Sequence, residues 1–505
     1  MRIRADIQGL RAVAVLLVAL NHAGVPGLSG GYIGVDVFFV VSGFLITSIL
    51  LSDHERHGRV SFARFYARRA RRILPAASVV LLATLLASWR LLDYVRANDV
   101  VGDVVWAAFF GANLRFAAQD TDYFAADLAP SPVQHFWSLA VEEQFYLLWP
   151  VLLAVVLVAR RRRLLATVLV ALCLASLCWS VLQTPADPMS AYFSTLTRGY
   201  ELGAGALLAV GAGAVARLST QAKAVLGWSG LAAVLLAATT FGDTTPFPGY
   251  HALLPVLGTV AIIAGGLDGR RVDAPAFGAV ALLGRRPLRW IGDVSYSLYL
   301  WHWPFLILAA GYAGGDLSLG TNLVLLAGAV AASALTFYLV ENPFRRARTL
   351  AHNPRYALAM WPVAISTVVV AGLVAQASLQ SRPASAASLH VDPKDVPKPQ
   401  RAELKGEGVR DEVATAVNAA ALGKPLPSPV EPALADLRDD RRTEAKGCDA
   451  NVEDTRSDLC PVGDTDADRT MVVLGDSHAA MWLPSIDALA KVRGWQVVPI
   501  VKYGC

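Results

Sequence analysis

Charged side chains are scarce in this chain: 17% of its 505 residues are Asp, Glu, Lys or Arg, against 55% that are hydrophobic. With a mean hydropathy of +0.45, that composition excludes an ordinary soluble domain. Cysteine is rarer still, with 5 in all. Positive charge is also missing from alternate connections between the apolar runs. Counting loops from a cytoplasmic N-terminus, the inward ones hold 24 Lys and Arg, and the outward ones up to residue 319 hold only Arg90, Arg96 and Arg115. The net charge of +5 is therefore a topogenic bias, and it excludes a nucleic-acid-binding role. No internal repeat stands out.

What is present is a series of runs long enough to cross a bilayer, ending at residue 378. Spans are expected near 7–23, 32–51, 73–91, 140–159, 164–182, 194–215, 224–241, 250–266, 291–311, 320–340 and 358–378. Residues 100–114 are shorter and broken by Asp103, so an interfacial or re-entrant segment is expected there. The first run mimics a signal peptide, but a second span follows closely and no clear cleavage context intervenes. This predicts an all-α polytopic membrane protein in the cell (plasma) membrane, with about ten core spans plus one linking helix. The N-terminus is then cytoplasmic and residues 379–505 extracytoplasmic. From Ser381 to about Arg442 the chain is rich in Pro, Ala and charge without periodicity, which reads as a linker. Cys448 and Cys460 follow it in an oxidising compartment, where a disulfide is plausible. Cys173 and Cys178 read as buried thiols within a span, and Cys505 has no obvious partner.

Ionisable residues inside the spans are costly and mark candidate sites. Arg11 and His22 lie eleven residues apart, close to three helical turns, so both face the same way roughly 16 Å apart along the axis. A snorkelling Arg and an interfacial His are the plainer alternative. Asp36 enters the second span near the outer end, where a His–carboxylate pair with His22 would orient the imidazole; helix capping is the competing role. Gly34, Ser42 and Gly43 suit close helix packing. Arg68, Arg69, Arg71 and Arg72 form a basic loop, which is either topogenic or a fork for phosphate oxygens. His135-Phe-Trp-Ser138-Leu-Ala-Val-Glu142-Glu143-Gln144-Phe-Tyr146 leads into the fourth span, with Ser138, Glu142 and Phe145 on one face. Arg198 and Glu201 stand at i and i+3, where they either serve a site or neutralise each other. Leu300-Trp-His302-Trp-Pro304 places another His inside a span. Glu341-Asn-Pro343-Phe-Arg345 reads as a helix stop with an interfacial ion pair.

In this order and register, these segments closely resemble the acyltransferase-3 family of integral membrane acyltransferases, from about residue 5 to residue 346. The resemblance implies an O-acyltransferase that takes an acyl group, commonly acetyl, from cytoplasmic acyl-CoA as donor substrate. The implied acceptor is a cell-envelope glycan or glycolipid. No other cofactor and no metal are expected. The resemblance makes Arg11, His22, Arg69 and Arg72 functional and adds Asp36, Glu142 and Glu143 as further candidates, with Arg198, Glu201 and His302 behind them. The donor phosphates would lie near Arg69, Arg72 and Arg11. His22, helped by a carboxylate such as Asp36, would act as general base or transient acyl carrier.

Near the end, Thr470-Met-Val-Val-Leu-Gly475-Asp476-Ser477-His478 reads as strand, tight turn and helix start, with Ser477 beside amides able to hold an oxyanion. It looks like the first block of an SGNH hydrolase-type domain with Ser477 as nucleophile, in a fused arrangement similar to O-antigen and peptidoglycan O-acetyltransferases. The blocks carrying the distal His and its Asp do not follow, so a partial α/β domain is expected. The expected organisation is 1–346 acyltransferase domain, 347–380 linking helix, 381–442 linker and 443–505 SGNH-type fragment. Two other functions compete: a lipid or acyl transporter or flippase, and an esterase confined to the Ser477 domain.

Overall fold

A computed structural model describes residues 4–120, 130–158, 162–242, 244–267, 278–380 and 458–502, with Cys448, Ala450 and Thr455 besides. The expected linker and Cys505 lie outside the described residues. Residues 1–379 and 380–505 form two separate units.

Among the described residues the first unit is built of helices and carries no strand. Its helices are α1 (Ala5–His22), α2 (Gly34–His57), α3 (Phe62–Leu91), α4 (Tyr94–Ala108), α5 (Ala112–Asp120), α6 (Phe136–Val158), α7 (Arg162–Ala186), α8 (Pro188–Phe193) and α9 (Thr195–Val215). They continue as α10 (Thr220–Thr240), α11 (Leu253–Gly265), α12 (Ala279–Leu283), α13 (Arg286–Ala313), α14 (Leu319–Thr336), α15 (Asn342–Arg346), α16 (Arg348–His352) and α17 (Pro354–Gln380). Among the described residues, 7 helices are long and apolar enough to cross a membrane, as a polytopic membrane protein requires. Helices α1, α9 and α13 fall short of that hydropathy because they carry Arg11, the Arg198–Glu201 pair and His302. Helix α11 has 13 residues, about 20 Å, against a hydrocarbon thickness of about 30 Å. The expected span at 250–266 is thus shorter in the structure, because residues 246–252 turn around Pro246 and Pro248. Residues 100–114 fall on α4, a turn at Phe109–Gly111 and α5, and Asp103 is paired with Arg115 across them at 2.5 Å.

Burial separates a centre from a periphery. The apolar window of α2 is 72% buried, whereas those of α7 and α17 are 17% buried. Cys178 on α7 is accordingly exposed, not buried as its sequence context suggested, and Cys173 is half-buried. The central helices touch backbone to backbone. A Cβ at Gly43 would strike the Leu202 carbonyl, one at Gly205 the Val40 carbonyl, and one at Gly292 the Gln8 carbonyl. Glycine therefore sets the α2–α9 and α1–α13 crossings. Helices α1 and α13 run parallel, Gln8 beside Gly292 and His22 beside His302. The face shared by Arg11 and His22 is thus laid along α13. After α14 a single π turn, Phe337–Glu341, turns Glu341 onto α13, where Ser297 donates to it at 3.0 Å.

In the second unit β1 (Val462–Gly463), β2 (Thr470–Gly475), α18 (Ser477–Arg493) and β3 (Gln496–Val501) form a small α/β layer of strand order β1-β3-β2. Strands β2 and β3 are parallel and joined through α18, and β1 is antiparallel to β3. Cys448 and Cys460 form a disulfide with Cα atoms 5.6 Å apart.

Candidate active site

The site is built from four buried polar groups on the central helices. The first is histidine-rich. His22 Nδ1 lies 3.0 Å from His302 Nε2, and the two rings stack at 5.2 Å between centroids. His302 Nδ1 lies 2.8 Å from the Tyr299 carbonyl and 3.2 Å from that of Leu298. A carbonyl only accepts, so Nδ1 of His302 carries the proton and its Nε2 is the acceptor. His22 Nδ1–H therefore donates to His302, and His22 Nε2 keeps its lone pair. Trp303 closes one side of His22, edge to face at 4.5 Å. His135 lies edge to face with His302, 5.7 Å between ring centroids. Tyr299 donates to the His135 carbonyl at 3.1 Å and pairs with Ser138 at 2.7 Å.

Nearer the other end of α1, Arg11 donates to Gln8 at 2.9 Å, and Gln8 donates to Asp293 on α13. Glu341 lies in the field of Arg72, Arg11 and Arg345, guanidiniums carried by α3, α1 and α15. Among the described residues no hydrogen bond or ion pair engages Arg72 or Arg345. Arg69 is committed elsewhere: it pairs with Glu143 at 2.7 Å and lies 3.8 Å above the Tyr146 ring.

Between these two ends stands Glu142, which accepts from Ser42 at 2.8 Å and from Tyr146 at 3.1 Å. Ser42 thus does more than allow close packing: it ties α2 to α6. The fourth group is fully buried. Arg198 Nη1 bridges Asp36 at 3.0 Å and Glu201 at 2.8 Å, and Phe39, Trp137, Tyr192 and Phe247 surround the guanidinium at 5.0–5.9 Å. The expected His22–Asp36 pair is not formed; the partner of His22 is His302, and Asp36 faces α9.

Several members of the site were not given a site role from the sequence. Packing places His135 and Tyr299 beside His302, and Glu341 nearer the other end of α1, bonded to Ser297 on α13. The usable signals were a His directly before a helix with two carboxylates, and Pro304 two residues after His302.

In the second unit, Ser477 opens α18 and is buried. Asp476 caps the helix, accepting from the His478 amide at 2.9 Å, and that bond holds its carboxyl below the ordinary value. The predicted strand, turn and helix start are all present. No group of three or more His, Cys, Asp or Glu able to hold a metal occurs among the described residues.

Comparison with known proteins places the chain, by its sequence, in a family. A family model described as an acyltransferase domain matches residues 4–375, and one described as an SGNH domain fused to acyltransferase-3 domains matches residues 443–505. The peptidoglycan O-acetyltransferase OatA of Listeria monocytogenes is 34% identical over 354 residues, covering 68% of this chain and 56% of that protein. The O-acetyltransferase OatA of Staphylococcus aureus is 31% identical over 356 residues, covering 67% of this chain and 57% of that protein. The match thus spans little more than half the length of these curated relatives. No solved structure matches.

Proposed function

The chain belongs to the acyltransferase-3 family, with a segment of the SGNH type that is fused to such acyltransferases, and on that premise we propose that it is a membrane O-acyltransferase. It moves an acyl group, acetyl in the simplest case, from cytoplasmic acyl-CoA to a hydroxyl of a cell-envelope glycan or glycolipid. The names of its relatives favour peptidoglycan as the acceptor. About ten spans form the catalytic body and α17 links it to the extracytoplasmic segment, with the N-terminus in the cytoplasm.

The observation that carries this reading is the unprotonated Nε2 of His22, held in place by the bond from His22 Nδ1 to His302. A base of that kind takes the proton of an acceptor hydroxyl as its oxygen attacks the thioester carbonyl. The C–S bond then breaks, and the departing thiolate recovers the proton from the imidazolium. His302, anchored on two backbone carbonyls, stabilises the imidazolium by accepting from it. The donor is a long molecule with phosphates at one end and the acyl thioester at the other. Arg11, Arg72 and Arg345 suit the phosphates and His22 the acyl carbon, so donor and α1 are matched end to end. Arg69, Glu142 and Glu143 position the helices between them, and the Asp36–Arg198–Glu201 group holds α2 against α9.

The test is release of CoA from acetyl-CoA by the purified full chain in detergent. Turnover supports the enzyme. A chain that binds acyl-CoA without releasing CoA would instead be a transporter or flippase.

A further inference from the structure

His135 precedes α6, is 3% exposed, and has two ring nitrogens in unlike situations. Its Nε2 lies 3.1 Å from the Leu300 carbonyl. In an unbroken helix that carbonyl would receive the amide of residue 304, but residue 304 is proline inside α13 and has no N–H to give. The orphaned carbonyl takes the His135 Nε2–H instead, which fixes the tautomer. Trp303 Nε1 holds the same turn by donating to the Ser131 carbonyl at 2.8 Å. The Trp303 indole and the Leu300 carbonyl freed by Pro304 thus dock residues 131–135 onto this helix.

That tautomer leaves His135 Nδ1 as a bare acceptor. It is buried and has no hydrogen-bond partner, a costly state for a polar atom inside a protein. His135 belongs to the same aromatic cluster as the reacting pair: its ring is 5.7 Å from His302, and His302 is bonded to His22. A group that accepts only, beside a base that needs a hydroxyl, calls for a donor. We propose that His135 Nδ1 accepts a hydrogen bond from a second hydroxyl of the acyl acceptor, beside the one that gives its proton to His22, and so favours polyhydroxy acceptors over water. The inference rests on the acyltransferase reading and adds an acceptor subsite to it.

The two amide side chains separate the two nitrogens. His135→Gln keeps a donor for the Leu300 carbonyl and lacks an acceptor at the Nδ1 position; His135→Asn keeps an acceptor there and gives up the Leu300 bond. The probes are acetyl-CoA as donor and glycerol as a simple alcohol, with the purified full chain, reading CoA release and acetyl-glycerol together. The expected result is that His135→Gln forms acetyl-glycerol with the KM for glycerol raised about tenfold, the effect of one lost hydrogen bond, and releases a larger share of its CoA without forming ester. His135→Asn should restore most of the glycerol affinity, which a purely structural role would not predict. Wild-type behaviour of His135→Gln in both readouts would overturn the subsite alone, as would equal loss of CoA release in both variants or a wild type that releases CoA without ester. No CoA release by the wild type would instead remove the acyltransferase reading beneath it.

Discussion

Replacing His302 by phenylalanine keeps a flat ring beside Trp303 and removes the acceptor that orients His22. Helices α1 and α13 should still pack, because their crossing is set by Gly292 against Gln8. CoA release should nevertheless fall about a hundredfold, the lower range of what a positioned base contributes, with the melting temperature little changed. Arg198 is the opposite kind of residue. Arg198→Met would leave Asp36 and Glu201 buried without a counter-charge, and breaking such a group costs about 3–5 kcal/mol. The variant should unfold at a much lower temperature in detergent, whereas Asp36→Asn, which leaves Arg198 with Glu201, should cost far less. At this scale the sequence was half legible. The Arg11–His22 spacing shows a shared face, but the partner of His22 is 280 residues away. Asp36 looked nearer because both residues lie at the outer ends of helices joined by a short connection; Gly34 does pack on α1, but two residues further on the helix has turned about 200°. Asp36 shares its face with Gly43, seven residues on, and both meet α9.

The elements show why the cationic site was only partly visible. The basic loop proved to be the first turns of α3, and within it Arg69 is already paired with Glu143 while Arg72 has no such carboxylate partner among the described residues. Nothing in the local sequence separates two arginines three residues apart; the neighbouring helix does. Arg345 joins Arg72 because the π turn at Phe337–Glu341 swings α15 toward α3, and π turns of this kind often mark functional sites. Arg72→Ala combined with Arg345→Ala should therefore raise the KM for acetyl-CoA about a hundredfold, the effect of two charge-assisted contacts at about 1.5 kcal/mol each. The KM for the acceptor should stay nearly unchanged. Equal loss for donor and acceptor would make these arginines structural or topogenic.

For the whole molecule, the bias of 24 inward against 3 outward cations was read from sequence alone, and the expected spans coincide with helices apart from the shortened α11. Long apolar periodicity survives in sequence; tertiary pairing of buried charge does not. The orientation has its own check: in intact cells freed of their wall, external protease should cleave within residues 381–447 and spare residues 268–277. The reverse pattern would invert the topology and put Ser477 in the cytoplasm. The central claim is that His22 performs the transfer. The most direct measurement is the rate of CoA release from acetyl-CoA by the purified full chain and by His22→Ala, each shown to be folded by its thermal transition. A loss of about a hundredfold or more in a folded variant is the predicted result, and turnover near the wild-type rate would contradict the account.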